Sequence, residues 1–160
     1  MNVSFKIIKT KERYMEGYQF IHIETYSRTP SRNGKKQSAY AIAKEAERVL
    51  GYCSHVNNPK KYVKLYGVTP QEAVDVAAER ASIGRDHIGR KIRKDGQIIL
   101  SGVTSCPIKS RDFKSNDPEL RDWISKNHEF FQREWGKNYI SSILHLDEEY
   151  IHIHFMLRLA

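Results

Sequence analysis

Three imidazoles stand near the end of this 160-residue chain. They are His145, His152 and His154, with Asp147 and Glu148 between the first and the last two. Imidazole nitrogen is the commonest metal ligand, and three of them with an open coordination position describe a reactive centre rather than a sealed structural one. Residues 139–146 and 151–159 both read as strands, with residues 147–150 as a four-residue hairpin loop. Side chains alternate faces along a strand. Parity therefore puts Leu144, Leu146, Ile151, Ile153, Phe155 and Leu157 on one apolar face, and Ile143, His145, His152, His154 and Met156 on the other. Pairing Leu146 with Ile151 sets His145 directly opposite His152, their Cβ atoms about 5 Å apart, with His154 two residues along. A half-exposed histidine cluster holding no metal is the plainer alternative. Three clustered imidazoles would compete for protons and water unless something shared satisfied them, which favours a metal.

The same parity sorts residues 18–26, a β-branched and aromatic segment expected to be a second strand. Ile21 and Ile23 are expected to join the apolar layer, leaving His22, Glu24 and Tyr26 on the open face with the three histidines. That face would hold acids and two nucleophiles, His22 and Tyr26.

These groups need a scaffold. A first strand is expected over residues 3–10, and a basic loop over residues 29–38. A helix is expected over residues 39–50 with Gly51 as its stop. Residues 51–68 read as irregular. Thr69, Pro70 and Glu72 form a capping-box start for a second helix reaching about Ile83. Residues 97–105 read as a strand. A third helix opens at Asn116-Asp117-Pro118-Glu119, with acids where the helix dipole favours them, and ends at Gly136. The order is β-β-α-α-β-α-β-β, an α+β fold in which helices cover one face of an antiparallel sheet.

Charge narrows the function. Residues 1–95 carry 19 basic and 10 acidic side chains, against 8 and 9 in residues 96–160. A regional basic excess suits a polyanion-binding face, and residues 28–36, 60–64 and 85–94 concentrate it. A solvated basic surface is the bland alternative. No run approaches ~20 apolar residues, the lysine-interrupted N-terminus is not a secretory signal, and two widely spaced cysteines suit a reducing cytoplasm.

The stretch from His145 to Phe155, with Leu146-Asp147-Glu148 after the first histidine and His152-Ile153-His154 at its end, resembles motif III of the HUH endonucleases. It resembles specifically that of the MobV (Pre/Mob) plasmid mobilisation relaxases. The basic run from Arg90 to Asp95 is similar to that family's basic motif before its central strand. The likeness spans roughly residues 18–158 and implies one relaxase-like (HUH, ferredoxin/palm-like) nuclease domain. It implies that His145, His152 and His154 hold a divalent metal, manganese or magnesium. It implies that His22 is the nucleophile, that Glu148 orients or deprotonates it, and that Arg90 and Arg93 contact DNA. Arg28, Arg32, Lys35 and Lys36 are the further candidate DNA-binding residues. The implied activity is nicking of single-stranded plasmid origin-of-transfer DNA through a covalent 5′-phospho-protein intermediate, with conjugation-machinery proteins as partners.

Some residues depart from the family pattern. The usual first motif, His-Asn-x-Arg, reads His22-Ile23-Glu24-Thr25 here, so Arg28 is the candidate replacement for the arginine and Tyr26 the second candidate nucleophile. Ile151 stands where the family often has proline. The chain stops at Ala160, where relaxase domains normally continue, so a truncated fragment or a minimal homologue is expected. Two rival readings stand beside this one: a three-histidine hydrolase of a small molecule, and a DNA-binding relaxase homologue without catalysis.

Overall fold

The computed structural model describes residues 19–114 and 116–159. In chain order the elements are β1 (Phe20–Ser27), α1 (Ala39–Ala46), β2 (Val63–Gly67), α2 (Pro70–Ile83), β3 (Gln97–Lys109), α3 (Pro118–Trp135), β4 (Tyr139–His145) and β5 (Tyr150–Arg158). Each helix starts on a side-chain cap that satisfies an otherwise orphaned backbone N–H. Ser38 accepts from the Ala41 amide, Thr69 and Glu72 close the expected capping box, and Asp117 accepts from the Glu119 amide. The expected strand over residues 3–10 lies outside the described residues.

The five strands form one antiparallel sheet in the order β1-β3-β5-β4-β2. No described helix is long and apolar enough to cross a membrane. The α+β antiparallel architecture is as expected, but the helices do not share one face. Helix α3 lies on the face carrying Leu144, Ile151, Ile153, Phe155 and Leu157, and contributes Trp123 and Phe131 to that core. Helices α1 and α2 cover part of the opposite, histidine-bearing face, packing Ala39, Ala43, Ala77 and Ala81 against Tyr26, Ile143 and Met156. Period-2 alternation hides this second core, because Ile143 and Met156 are separated in sequence by the histidines that share their face. The alanine stripes let the two helices approach the sheet closely.

Element boundaries also differ: β3 runs on to Lys109 rather than ending at residue 105, and β5 already begins at Tyr150. Helix α1 stops at Ala46 rather than Leu50, because Arg48 turns left-handed at φ +59°. Strand β2 falls inside the stretch read as irregular. It is a short edge strand carrying Lys64, with Val63 exposed, so it lacks a buried apolar signature. Strand β4 ends at His145, which leaves Leu146 in the turn and 41% exposed. Ile21 and Ile23 are likewise 43% and 51% exposed rather than packed in the apolar layer, since β1 is an edge of the sheet.

Gly102 pairs with Phe155 across β3 and β5, and the Phe155 ring lies over it. A Cβ there would stand 2.6 and 2.7 Å from Cε1 and Cε2 of that ring, inside van der Waals contact. The ring has little room to yield, since it stacks on Phe131 at 4.2 Å and Trp135 at 5.3 Å. Gly102→Ala is therefore expected to destabilise the fold by about 1–3 kcal/mol, read as a lower urea midpoint. An unchanged midpoint would show that the core accommodates the methyl group.

Candidate functional site

The sheet register sets the site. Directly paired residues share a face, so the rows can be followed across the strands. One row runs Phe20, Ser105, His152, His145, and the next runs His22, Val103, His154, Ile143. His145 and His152 are direct partners, as the hairpin parity predicts. His145 and His154 lie with ring centroids 6.0 Å apart. His22 shares the face and the row of His154, two strands away, or about 10 Å between Cα atoms.

Each histidine is held by a polar neighbour. His145 is buried, and its Nε2–H donates to the Ala46 carbonyl at the end of α1, 2.8 Å away. His154 Nε2 lies 2.5 Å from Ser101 Oγ. His152 Nδ1 lies 2.7 Å from Ser105 Oγ, and its Nε2 faces Glu148 Oε2 at 3.2 Å. Burial, with the nearby Arg48 charge, pushes His145 from the ordinary 6.5 down to about 4. Burial, then the neighbouring His145 and Arg48, pushes His154 down to about 3. Both rings are therefore neutral near pH 7, the form that binds a cation.

Arg48 is the residue the sequence reading missed. Its Nε and Nη2 donate to the two Asp147 oxygens at 2.9 and 2.8 Å, and Nη2 also reaches Glu148 Oε1 at 2.6 Å. The Arg48 and Asp147 side chains are only 5% and 1% exposed. Breaking a pair buried this deeply typically costs about 3–5 kcal/mol, which outweighs the roughly 1–2 kcal/mol of a left-handed non-glycine residue. Hydrogen bonds from His152 and then Arg48 hold Glu148 down at about 2, so it is a carboxylate that only accepts. Nothing local in the sequence marks Arg48, because its partners lie about a hundred residues away. Ser101 and Ser105 could be placed beside the histidines only once β3 was known to neighbour β5.

The donor set suits a divalent cation. Metal-bound histidines ordinarily donate their second ring N–H to a carbonyl, hydroxyl or carboxylate, and Ala46, Ser101 and Glu148 supply one of each. The rings are not gathered around one point: among the described residues no three His, Cys, Asp or Glu side chains are grouped closely enough to hold an ion. His152 has partners on both nitrogens and would exchange one of them for a ligand.

The expected site residues divide into three groups. His22 is exposed and in line with His154, and no hydrogen bond joins it to Glu148, whose partners are Arg48 and His152. Two residues along β1 from His22 stands Glu24, whose carboxyl is held below the ordinary range, first by the Tyr26 hydroxyl and further by Lys36. Tyr26 is 9% exposed and donates to Glu24 at 3.0 Å, and burial followed by that hydrogen bond pushes its phenol far above the usual range.

The basic residues gather at the other end of β1. Arg28 is tied inward to the Ile92 and Arg93 carbonyls, and so fastens the two basic segments together. Between them lies a cleft of about 730 Å³ lined by Arg32, Lys36, Gln37, Arg93, Lys94 and Gln97 among others. Lys36 also reaches Glu24 at 3.3 Å. Arg93 pairs with Asp95, and Arg90 pairs with Asp86 outside the cleft. Arg32 and Lys35 are exposed and form no ion pair among the described residues. The basic segment 60–64 leads into β2 at the opposite sheet edge.

An imidazole with its pKa lowered in the fold binds fewer protons than in the unfolded chain, so stability rises with pH between the two values. Acidifying metal-free protein from pH 6.5 towards 4 is therefore expected to cost on the order of 1–3 kcal/mol through His145, read by denaturant unfolding. His145→Gln should flatten that slope, and an equally steep slope in the variant would refute the assignment.

No protein-family model matches the sequence, and no curated protein does. Solved structures do. The fold is similar to that of the manganese-bound MobM relaxase domain (MOBV; Mob_Pre) in complex with 22-nt plasmid pMV158 oriT DNA. The match has 19% identity over 88% of this chain and 70% of that one, with a TM-score of 0.59. A second manganese-bound structure of that domain, with a 3′-thiophosphate on the DNA, matches at 18% identity over the same shares, with a TM-score of 0.58. A third, bound to 26-nt oriT DNA, matches at 17% over 88% and 68%, with a TM-score of 0.51. The five-stranded antiparallel sheet with its three helices thus has the MobV (Mob_Pre) relaxase fold.

Proposed function

We propose that this chain is a divalent-metal-dependent endonuclease and strand-transfer enzyme of single-stranded plasmid origin DNA. The observation that carries the reading is the pair of rows that align His22, His154, His152 and His145 on one face of a sheet with the relaxase fold. His145, His152 and His154 would hold the metal, manganese as in the relaxase structures above or magnesium. A cation bound there would polarise the scissile phosphate and offset its growing charge.

His22 is the nucleophile in this reading. The roughly 10 Å between its Cα and that of His154 leaves room for a phosphodiester between the two side chains. Its imidazole nitrogen attacks phosphorus, the bond to the 3′ oxygen breaks, that oxygen takes a proton from water as the ring gives one up to solvent, and the 5′ phosphate stays on the ring. The retained phosphoryl bond lets the strand be rejoined later. Tyr26 is the poorer candidate, because its hydroxyl is buried, bonded to Glu24 and hard to ionise. The cleft carrying Arg32, Lys36, Arg93 and Lys94 lies five residues along β1 from His22, about 16 Å, and would grip the strand leading to the nick.

One observation favours a second reading. The rings do not converge, as befits a relaxase homologue that binds DNA without cutting it. Mass spectrometry after incubation with origin oligonucleotide and Mn2+ separates the two. The proposed enzyme gives a protein–DNA adduct mapped to His22, retained in Tyr26→Phe and lost in His22→Ala and His152→Ala. An adduct that survives in His22→Ala would move the nucleophile elsewhere, and no adduct in the wild type would leave the binding-only reading.

Binding itself should be salt-dependent through counterion release. Replacing Arg93 and Lys94 together by Gln is expected to lower the slope of log K against log salt by about 1.4, measured by fluorescence anisotropy. An unchanged slope would remove the cleft from the DNA path.

A further inference from the structure

The short segment that ends α1 touches the site twice. The Ala46 carbonyl accepts from His145, and two residues on, Arg48 reaches the β4–β5 turn. The Arg48 guanidinium uses Nη2 to hold Glu148 by Oε1 at 2.6 Å, which leaves Oε2 of the same carboxylate turned to His152 Nε2 at 3.2 Å. On its other side the guanidinium is fixed by both oxygens of Asp147, one of which also accepts from the Lys60 amide. A carboxylate pinned at one oxygen by a buried arginine, itself pinned by a buried aspartate, has no freedom to swing away from the imidazole. Ser105 Oγ sits 2.7 Å from the other imidazole nitrogen, Nδ1.

We propose that Arg48 is a positioning residue which, through Glu148, fixes both the orientation and the tautomer of His152. A carboxylate can only accept, so Glu148 Oε2 requires the proton on Nε2. In the neutral ring Nδ1 is then the lone-pair nitrogen and accepts a hydrogen bond from the Ser105 hydroxyl. A carboxylate–imidazole pair of this kind is the usual backing of a metal-bound histidine and makes the ring a better donor. Arg48 thus acts on the site without touching DNA or metal. It also balances one of the two acids, so the group of Arg48, Asp147 and Glu148 presents a net charge of −1 to the three rings. Glu148 in this arrangement serves His152 rather than His22. The consequence for metal binding rests on the nicking-enzyme reading, whereas the tautomer does not.

The test uses the full chain labelled with 15N-histidine, without metal, and reads the His152 tautomer from long-range proton–nitrogen spectra near neutral pH. The wild type is expected to show His152 with its proton on Nε2. Arg48→Met should release Glu148 and give averaged shifts of both tautomers. Glu148→Gln keeps the shape but turns an amide donor towards the ring, and should move the proton to Nδ1. It also serves as the deciding variant if Arg48→Met fails to fold. A proton that stays wholly on Nε2 in folded Arg48→Met, or in Glu148→Gln, overturns the proposal.

A Mn2+ titration followed by electron paramagnetic resonance forms the second arm. The wild type should bind, Arg48→Met should bind about 10- to 100-fold more weakly, and Arg48→Lys, which keeps the charge on a single-point donor, should recover part of the loss. Equal Mn2+ affinity in the wild type and Arg48→Met overturns the positioning role. A wild type that binds no Mn2+ while its His152 tautomer is as stated overturns the metal reading alone.

Discussion

Register in an antiparallel sheet comes in whole residues, and an odd slip turns every side chain of a strand to the opposite face. The site of this chain depends on one such setting, that of His145 opposite His152. The imidazoles do not hold it. Leu144, Ile151, Ile153, Phe155 and Leu157 must lie under α3, and each buried side chain of this kind is worth roughly 1.5–3 kcal/mol. A one-residue slip would carry the Phe155 ring out of its stack on Phe131 and drive the histidines into an apolar core. The hydrophobic face therefore sets the position of the polar one. The same logic crosses β3, where Gly102 makes room for Phe155 and so keeps Ser101 and Ser105 in line with His154 and His152.

The histidine face is then divided along its length. Beneath α1 and α2 it is a dry core of small helix residues against Ile143 and Met156. Beyond the end of α1 it carries the imidazoles, and the place where the helix stops draws the line between the two. Had α1 run on to Leu50, the turn at Arg48 would not exist and the guanidinium could not fold back to Asp147. The stop also leaves the Ala46 carbonyl without a helical partner and free to accept from His145. One helix terminus thus settles the tautomer of one histidine and the charge balance beside another.

Much of this was legible in the sequence, for identifiable reasons. The β4–β5 hairpin was, because period-2 alternation runs unbroken through Ile151–Phe155 and fixes both register and faces. The capping box at Thr69 and Glu72 was, because its chemistry is local. Strand β2 was not, since an edge strand with exposed Val63 and charged Lys64 needs no apolar pattern to be held by β4. The second core was not, because α1 and α2 bury alanines, whose spacing marks a helix but not which sheet face it will cover. Arg48 was invisible for a different reason. Its role is a contact between distant segments, and pairing of that kind leaves no trace in the residues on either side of it. His22 joined the histidine face as parity predicts, whereas Glu148 is bonded to Arg48 and His152 rather than to His22, since the β4–β5 turn folds towards α1.

The charges follow the same division, and they explain why the basic cleft stands apart from the imidazoles. A polyanion is drawn in by cations that are not already neutralised. At the histidine end Arg48 is outnumbered by Asp147 and Glu148, and burial keeps His145 and His154 neutral near pH 7, so among the described residues this end offers no surplus of positive charge to a polyanion. At the far end of β1, Arg32, Lys36, Arg93 and Lys94 line one cleft whose lining holds a single acid, Asp95, so a surplus of positive charge remains although Arg93 pairs with Asp95 and Lys36 reaches Glu24. Cations placed among the histidines would raise the cost of holding a divalent ion there, and acids placed in the cleft would repel the strand. Separation along β1 lets one sheet carry both a histidine cluster flanked by acids and a basic cleft, and the exposed side chain of His22 lies between them.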